Sequence, residues 1–89
     1  MKYGVSLADL TPKQRSEIER NTGAVIDVVV EDTPSFSANV ISGDVLIAVD
    51  GEDVKNAEHA FQLMRKNATT SSTLRIIRNK QEKDIFVKF

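Results

Sequence analysis

Apolar residues along this chain fall into short runs separated by polar turn signals. The densest run is Val45-Leu46-Ile47-Ala48-Val49, between Ser42-Gly43-Asp44 and Asp50-Gly51. Asp-Gly tolerates the positive φ of a tight hairpin, so the pattern predicts a buried central strand over Asp44–Asp50 that turns into a short strand at Glu52-Asp53-Val54. Lys2–Leu7 reads as a short strand after a tight loop. Thr11-Pro12 opens a helix, with Gln14 completing a Thr-x-x-Gln capping box, and the pattern carries it to about Asn21, where Gly23 closes it. Ile18 is its only strongly apolar residue, which predicts a surface helix with weak anchorage.

Ala24–Glu31 is rich in β-branched residues and predicts a strand. Ser35–Val40 follows as one helical turn, with Phe36, Ala38 and Val40 offered to the core. Asn56 caps a helix over Ala57–Lys66, whose apolar residues Ala57, Ala60, Phe61, Leu63 and Met64 span one wide face. After a polar loop over Asn67–Ser72, Thr73–Arg78 is a strand. Asn79–Lys83 is a polar connection, and Asp84–Phe89 is the last strand, with Ile85, Val87 and Phe89 on one face. This order is α+β and mainly β. By itself it also fits a ferredoxin-like sheet with an added strand.

Composition narrows the chemistry. Eighty-nine residues predict one domain over 1–89. Such a chain buries only about 60–65% of its unfolded surface. The net charge of -1 gives no broad attraction to nucleic acid or anionic membrane. No apolar run is long enough to span a membrane, and the absence of cysteine excludes disulfides and thiolate metal sites. His59 is the only histidine, and no serine stands in a Gly-x-Ser-x-Gly context, so no catalytic residue is assigned. Asp44 and Asp50 sit at turn positions, where Asp serves the backbone. Glu31-Asp32 with Asp44 lacks the spacing of a calcium loop, so neither metal nor cofactor is expected. Lys80, Lys83 and Lys88 with Arg75 and Arg78 read as a solvated edge whose lysines discourage strand-to-strand aggregation.

The stretch Thr33–Gly51 carries a family resemblance. Gly43-Asp44, an apolar run, then Asp50-Gly51 resembles the central signature of PDZ domains. Upstream, Pro34, Ala38, Asn39 and Val40 are similar to the Ser-Pro-Ala, two residues, Ala-Gly-Leu run of the bacterial HtrA-type branch. Asn39 stands where that branch has Gly, a mild departure because Asn tolerates the left-handed region. Lys2-Tyr3-Gly4-Val5 resembles, in its second half, the PDZ carboxylate-binding loop.

The resemblance implies a small bent antiparallel sheet, or partly open barrel, capped by two main helices. It implies a non-catalytic module that takes an extended apolar C-terminal or internal peptide as an added strand beside Val5–Leu7, against the helix Ala57–Lys66. Lys2, Tyr3, Gly4 and Val5 would receive the carboxylate. Ser6, Leu7, Ala57, Phe61 and Met64 would line the groove, with Ala60 and Leu63 facing the core. The position that selects Ser or Thr in family members carrying His is Ala57 here. His59 lies about 200° further round the helix and should face solvent. An apolar preference follows at the last and third-last peptide residues.

The branch also implies a circularly permuted order in which Asp84–Phe89 takes the place of a strand before the loop. HtrA-type PDZ domains usually accompany a protease in the bacterial envelope, so the chain is expected to be a domain excised from a larger protein, with Met1 a start placed on it. The expected partners are protein C-termini with an apolar last residue, without nucleic acid or membrane insertion. The tail Ile85-Phe86-Val87-Lys88-Phe89 is itself of that ligand type, which allows self-association. A ferredoxin-like nucleic-acid binder is the alternative from another class, but it would need exposed aromatics for base stacking. The aromatics here fall mostly at expected core or groove positions.

Overall fold

The computed structural model describes residues 2–89; Met1 lies outside the described residues. The elements are β1 (Val5–Asp9), α1 (Pro12–Ile18), β2 (Ala24–Val29), α2 (Pro34–Ser37), β3 (Val45–Val49), β4 (Glu52–Asp53), α3 (Ala57–Asn67), β5 (Ser71–Arg78) and β6 (Gln81–Lys88). Six strands form one antiparallel sheet in the order β1-β2-β3-β5-β6, with β4 paired to β3. The sheet is not closed. β1 and β6 are its two ends, and three helices accompany it.

β3 is buried along its whole length. Its two faces feed two cores, which explains why no polar residue interrupts it. Leu46 and Val49 join the larger core with Ile26, Val54, Leu63, Met64, Leu74, Ile76, Ile85 and Val87. Val45 and Ile47 join a smaller one with Leu10 and Ile77, against which Ile18 packs. Single half-buried Ile18 is the anchorage of α1, which has no fully buried residue. The Thr11 capping box forms on both sides.

The start of β3 is fixed by a buried ion pair. Asp44 is 1% exposed; its Oδ2 also accepts from the Ile41 amide at 3.0 Å. Arg78, at the far end of β5, grips the carboxylate with Nε to Oδ1 at 2.8 Å and Nη2 to Oδ2 at 2.6 Å. Its Nη2 also donates to the Asn39 carbonyl at 3.0 Å. Asn39 has φ 66, the left-handed conformation that the sequence assigned to it.

Several local expectations change. α1 ends at Ile18, and Glu19, with φ 56, takes the left-handed cap expected of Gly23. Gly23 serves close approach instead: a Cβ there would sit 3.2 Å from the Leu46 carbonyl oxygen, at φ +134. Phe36 is exposed rather than in the core, because the turn of α2 buries Ser35 instead. β5 and β6 run longer than expected and meet in a tight turn at Asn79-Lys80, both at positive φ. His59 is half-buried rather than facing solvent, since its Nδ1 accepts from the Lys55 amide at 3.0 Å ahead of α3.

Candidate peptide-binding groove

β1 and α3 run alongside each other in opposite directions, and two hydrogen bonds mark the ends of the space between them. At one end the Ala57 amide, in the first turn of α3, donates to Asp9 Oδ1 at the end of β1 at 2.9 Å. At the other, Lys2 Nζ donates to the Ala68 carbonyl, the C-cap of α3, at 3.3 Å. Lys2 Nζ also stands 5.7 Å from the centroid of the Phe89 ring. Asn56 Oδ1 caps α3 by accepting from the His59 amide at 2.9 Å.

The loop before β1 is aimed by its carbonyls. The Ser35 amide donates to the Tyr3 carbonyl at 3.1 Å, and the Val30 amide donates to the Gly4 carbonyl at 2.8 Å. In a trans peptide the N–H points opposite to the C=O of the same plane. The Gly4 amide therefore points away from α2, and the Val5 amide points away from β2. Gly4 stands opposite Val30 in this ladder, so Val5–Val29 is a non-hydrogen-bonded pair. The N–H and C=O of Val5 thus face the free edge of β1. These two successive amides are thus left out of the contacts that α2 and β2 make with the loop carbonyls.

Gly4 is required twice over. Its φ is +79, and a Cβ there would fall 2.3 Å from the Thr33 Cβ. Thr33 in turn caps α2 and donates to the Val30 carbonyl at 2.7 Å, so it cannot easily move aside.

The side chains assigned to the groove divide by depth. Tyr3 and Met64 are fully buried and Val5 nearly so; all three belong to the larger core. Leu7 and Ala57 are half-buried and pack on that core. Phe61 is 42% exposed on α3, with the Arg65 guanidinium 5.8 Å from its ring centroid. Ser6 points to the opposite face of the sheet with Val28, its partner on β2. Ala60 and Leu63 are buried in the core, on the side of α3 that the sequence assigned to them.

Tyr3 ties the loop to the interior. Its ring meets that of Phe89 edge-on, with centroids 4.8 Å apart. Its hydroxyl is buried and has no hydrogen-bond partner of good geometry among the described residues. The neighbouring Ser72 hydroxyl donates to Asp50 Oδ2 at 2.9 Å instead. Burial pushes the Tyr3 phenol above its ordinary pKa; the Ser72 hydroxyl opposes this rise and the Asp50 carboxylate adds to it. The pairs Asp44–Arg78, Asp9–Ala57 and Lys2–Ala68 were not read from the sequence, because their partners are far apart in the chain. Among the described residues there is no cluster of His, Cys, Asp or Glu fit to hold a metal ion.

An open sheet with a glycine loop at the head of a free edge strand and a helix beside that strand defines a small β-rich domain with a strand-edge groove. A family model described as PDZ domain matches residues 3–89, and the chain belongs to that family. This membership removes the ferredoxin-like alternative. Serine protease HTRA1 of Xenopus laevis is 28% identical over 78% of this chain, and that of Xenopus tropicalis is 30% identical over 72%. The matched segment spans 15% and 14% of the length of these curated relatives.

Among solved structures, a variant of the HtrA-type protease AlgW with a decapeptide aligns over 97% of this chain and 27% of its own, with a TM-score of 0.84 and 21% identity. The HtrA3 PDZ domain bound to a phage-derived ligand (FGRWV) aligns over 96% of this chain and 80% of its own, at TM-score 0.78 and 19% identity. The PDZ domain of EpsC from Vibrio cholerae aligns over 99% and 97%, at TM-score 0.68 and 19% identity.

Proposed function

We propose that this chain is a single non-catalytic peptide-binding module that takes an extended C-terminus as an added strand on β1. The observation that carries this reading is the pair of loop amides, Gly4 and Val5, turned away from α2 and β2 at the head of a free strand edge flanked by α3. The carboxylate rests on those amides, with Lys2 close by. The peptide runs antiparallel to β1 toward Asp9, and backbone hydrogen bonds hold it. Val5 borders the pocket for the last residue, with Tyr3 and Met64 packed beneath it in the core. Leu7, Ala57 and Phe61 border the pocket for the third-last.

Both pockets are apolar, so the favoured ligand is apolar at both positions. The peptide of the HtrA3 PDZ domain ends in Val, in keeping with the first preference, but carries Arg third from its end. Affinity is micromolar, on the order of -8 kcal/mol. Competition between two peptide series tests the specificity. An all-apolar ending is expected to outcompete a Ser/Thr-x-apolar ending; a tenfold advantage for the latter would overturn the assignment of Ala57 to the third-last pocket.

The chain's own tail is a poor ligand for a neighbouring copy, because Ile85 and Val87 fill the core and β6 is paired to β5 throughout. The edge contact of Phe89 with Tyr3 supports reading β6 as the strand that stands in for one ahead of the loop. A second reading is favoured by the fraction of the HTRA1 proteins that the match covers: the chain is a substrate-docking or regulatory piece of a larger serine protease. A nucleophile motif such as Gly-x-Ser-x-Gly elsewhere in the full gene product supports it, and a product without any hydrolase motif removes it.

A further inference from the structure

β6 is the second free edge of the sheet, at the opposite end from β1. Its pairing with β5 is regular from Ser71–Lys88 to Arg78–Gln81, without the bulges that interrupt β1–β2 and β3–β5. Thr70 and Phe89 stand opposite each other in this register, and the Phe89 amide donates to the Thr70 carbonyl at 3.0 Å. Alternation along the ladder then gives the bonds with β5 to Gln81, Lys83, Ile85 and Val87. The N–H and C=O groups of Glu82, Asp84, Phe86 and Lys88 point outward. The side chains of these four are exposed, and Phe86, at 60%, is the most exposed large apolar residue among those described.

Free edges are commonly blunted by bulges, proline, short length or charge. β6 has charge, with α2 standing near it, and its charges are self-complementary. When a second copy is laid antiparallel with a two-fold axis at Ile85, the outward residues meet one another. Glu82 then faces Lys88 at both ends, and Asp84 faces Phe86. The two Phe86 rings lie on one diagonal across the axis, within reach of each other, and the two Asp84 carboxylates lie on the other, each held by its own Arg75. Glu82 and Lys88 have no ion-pair partner within the chain among the described residues. Moving the axis to Asp84 sets that carboxylate against itself and Lys80 against Lys88. Moving it to Phe86 shortens the overlap and draws Asp84 from Arg75, which it already meets at 2.9 Å.

We propose that β6 is a self-association edge, joining two copies by antiparallel β6–β6 pairing about a two-fold axis at Ile85. The same patch serves both partners, as two-fold contacts require. The charges select one register rather than block pairing altogether. Both β1–α3 grooves stay open, so the dimer presents two peptide sites, and the proposal stands whether or not those sites bind peptide.

Sedimentation equilibrium of the chain from micromolar to millimolar concentration tests this. The mass is expected to rise toward twice that of the monomer, and saturating groove peptide leaves the rise unchanged. Glu82→Lys weakens the dimer about tenfold, since each substitution alters both ends of the interface. Glu82→Lys with Lys88→Glu restores it. Phe86→Lys weakens it while far-ultraviolet circular dichroism stays native. A strictly monomeric chain at millimolar concentration overturns the proposal. So does a dimer that peptide dissolves, or one indifferent to Glu82→Lys and Phe86→Lys.

Discussion

Asp44 and Arg78, 34 residues apart in the chain, form a two-point ion pair that locks the entrance of β3 to the exit of β5. The carboxylate is buried and the guanidinium only partly so, and Arg78 extends the clamp to the Asn39 carbonyl. The Gly-Asp of the family signature thus has a structural task here, at a distance from the groove.

Removing one partner of this pair strands the other. Arg78→Met leaves the Asp44 carboxylate buried with only the Ile41 amide, and is expected to cost about 3 kcal/mol. The double variant Asp44→Asn/Arg78→Met costs less than the sum of the single changes, because it leaves no uncompensated charge. Urea unfolding of the four proteins measures the coupling directly.

Gly4→Ala is the most damaging single methyl that the loop can receive. The left-handed φ and the collision with Thr33 together cost about 2–4 kcal/mol. Thr33→Gly in the same chain relieves the collision but not the backbone strain. Thermal denaturation is therefore expected to show partial recovery, with the double variant still below the parent.

The single tyrosine permits a clean alkaline titration. The folded-state pKa of Tyr3 is raised, chiefly by burial, so the folded chain holds the phenolic proton more tightly than the unfolded chain does. The corresponding stability is fully present below about pH 10, the unfolded value, and is lost as pH rises through the folded value. Phenolate absorbance is expected to lag behind that of the denatured chain. Tyr3→Phe abolishes this pH dependence and retains the ring contact with Phe89.

Deleting Asp84–Phe89 is expected to unfold the chain rather than trim it. The deletion removes Ile85 and Val87 from the core and exposes the β5 ladder. Loss of amide dispersion in the nuclear magnetic resonance spectrum reports this outcome. Val87→Ala, a milder probe, costs roughly 1–3 kcal/mol.

What could be read from the sequence follows the range over which the cause acts. Thr11, Asn56 and the Ser42-Gly43-Asp44 turn act on neighbours within a few residues, and all were legible. β3 was legible because burial on both faces leaves a pure apolar run. β6 was read short because Gln81, Glu82 and Lys83 are polar and exposed and look like a loop. The turn joining it to β5 was hidden because Lys80 is an unusual residue at positive φ. Gly23 was mistaken for a helix cap since a crowded carbonyl across the sheet leaves no local mark. In the groove, Gly4 announced a special loop. The direction of its amides, however, is set by Val30 and Ser35, which no short motif contains.

In the proposed binding mode the Gly4 and Val5 amides receive a peptide carboxylate at the head of the β1–α3 groove. An amide chemical-shift titration with two peptides of identical apolar sequence, one ending in a free carboxylate and one amidated, tests it most directly. Shifts are expected at Tyr3–Leu7 and Ala57–Met64 with the free acid, and far weaker ones with the amide. Equal shifts with both peptides would contradict carboxylate capture, and no shifts in either segment would contradict the groove itself.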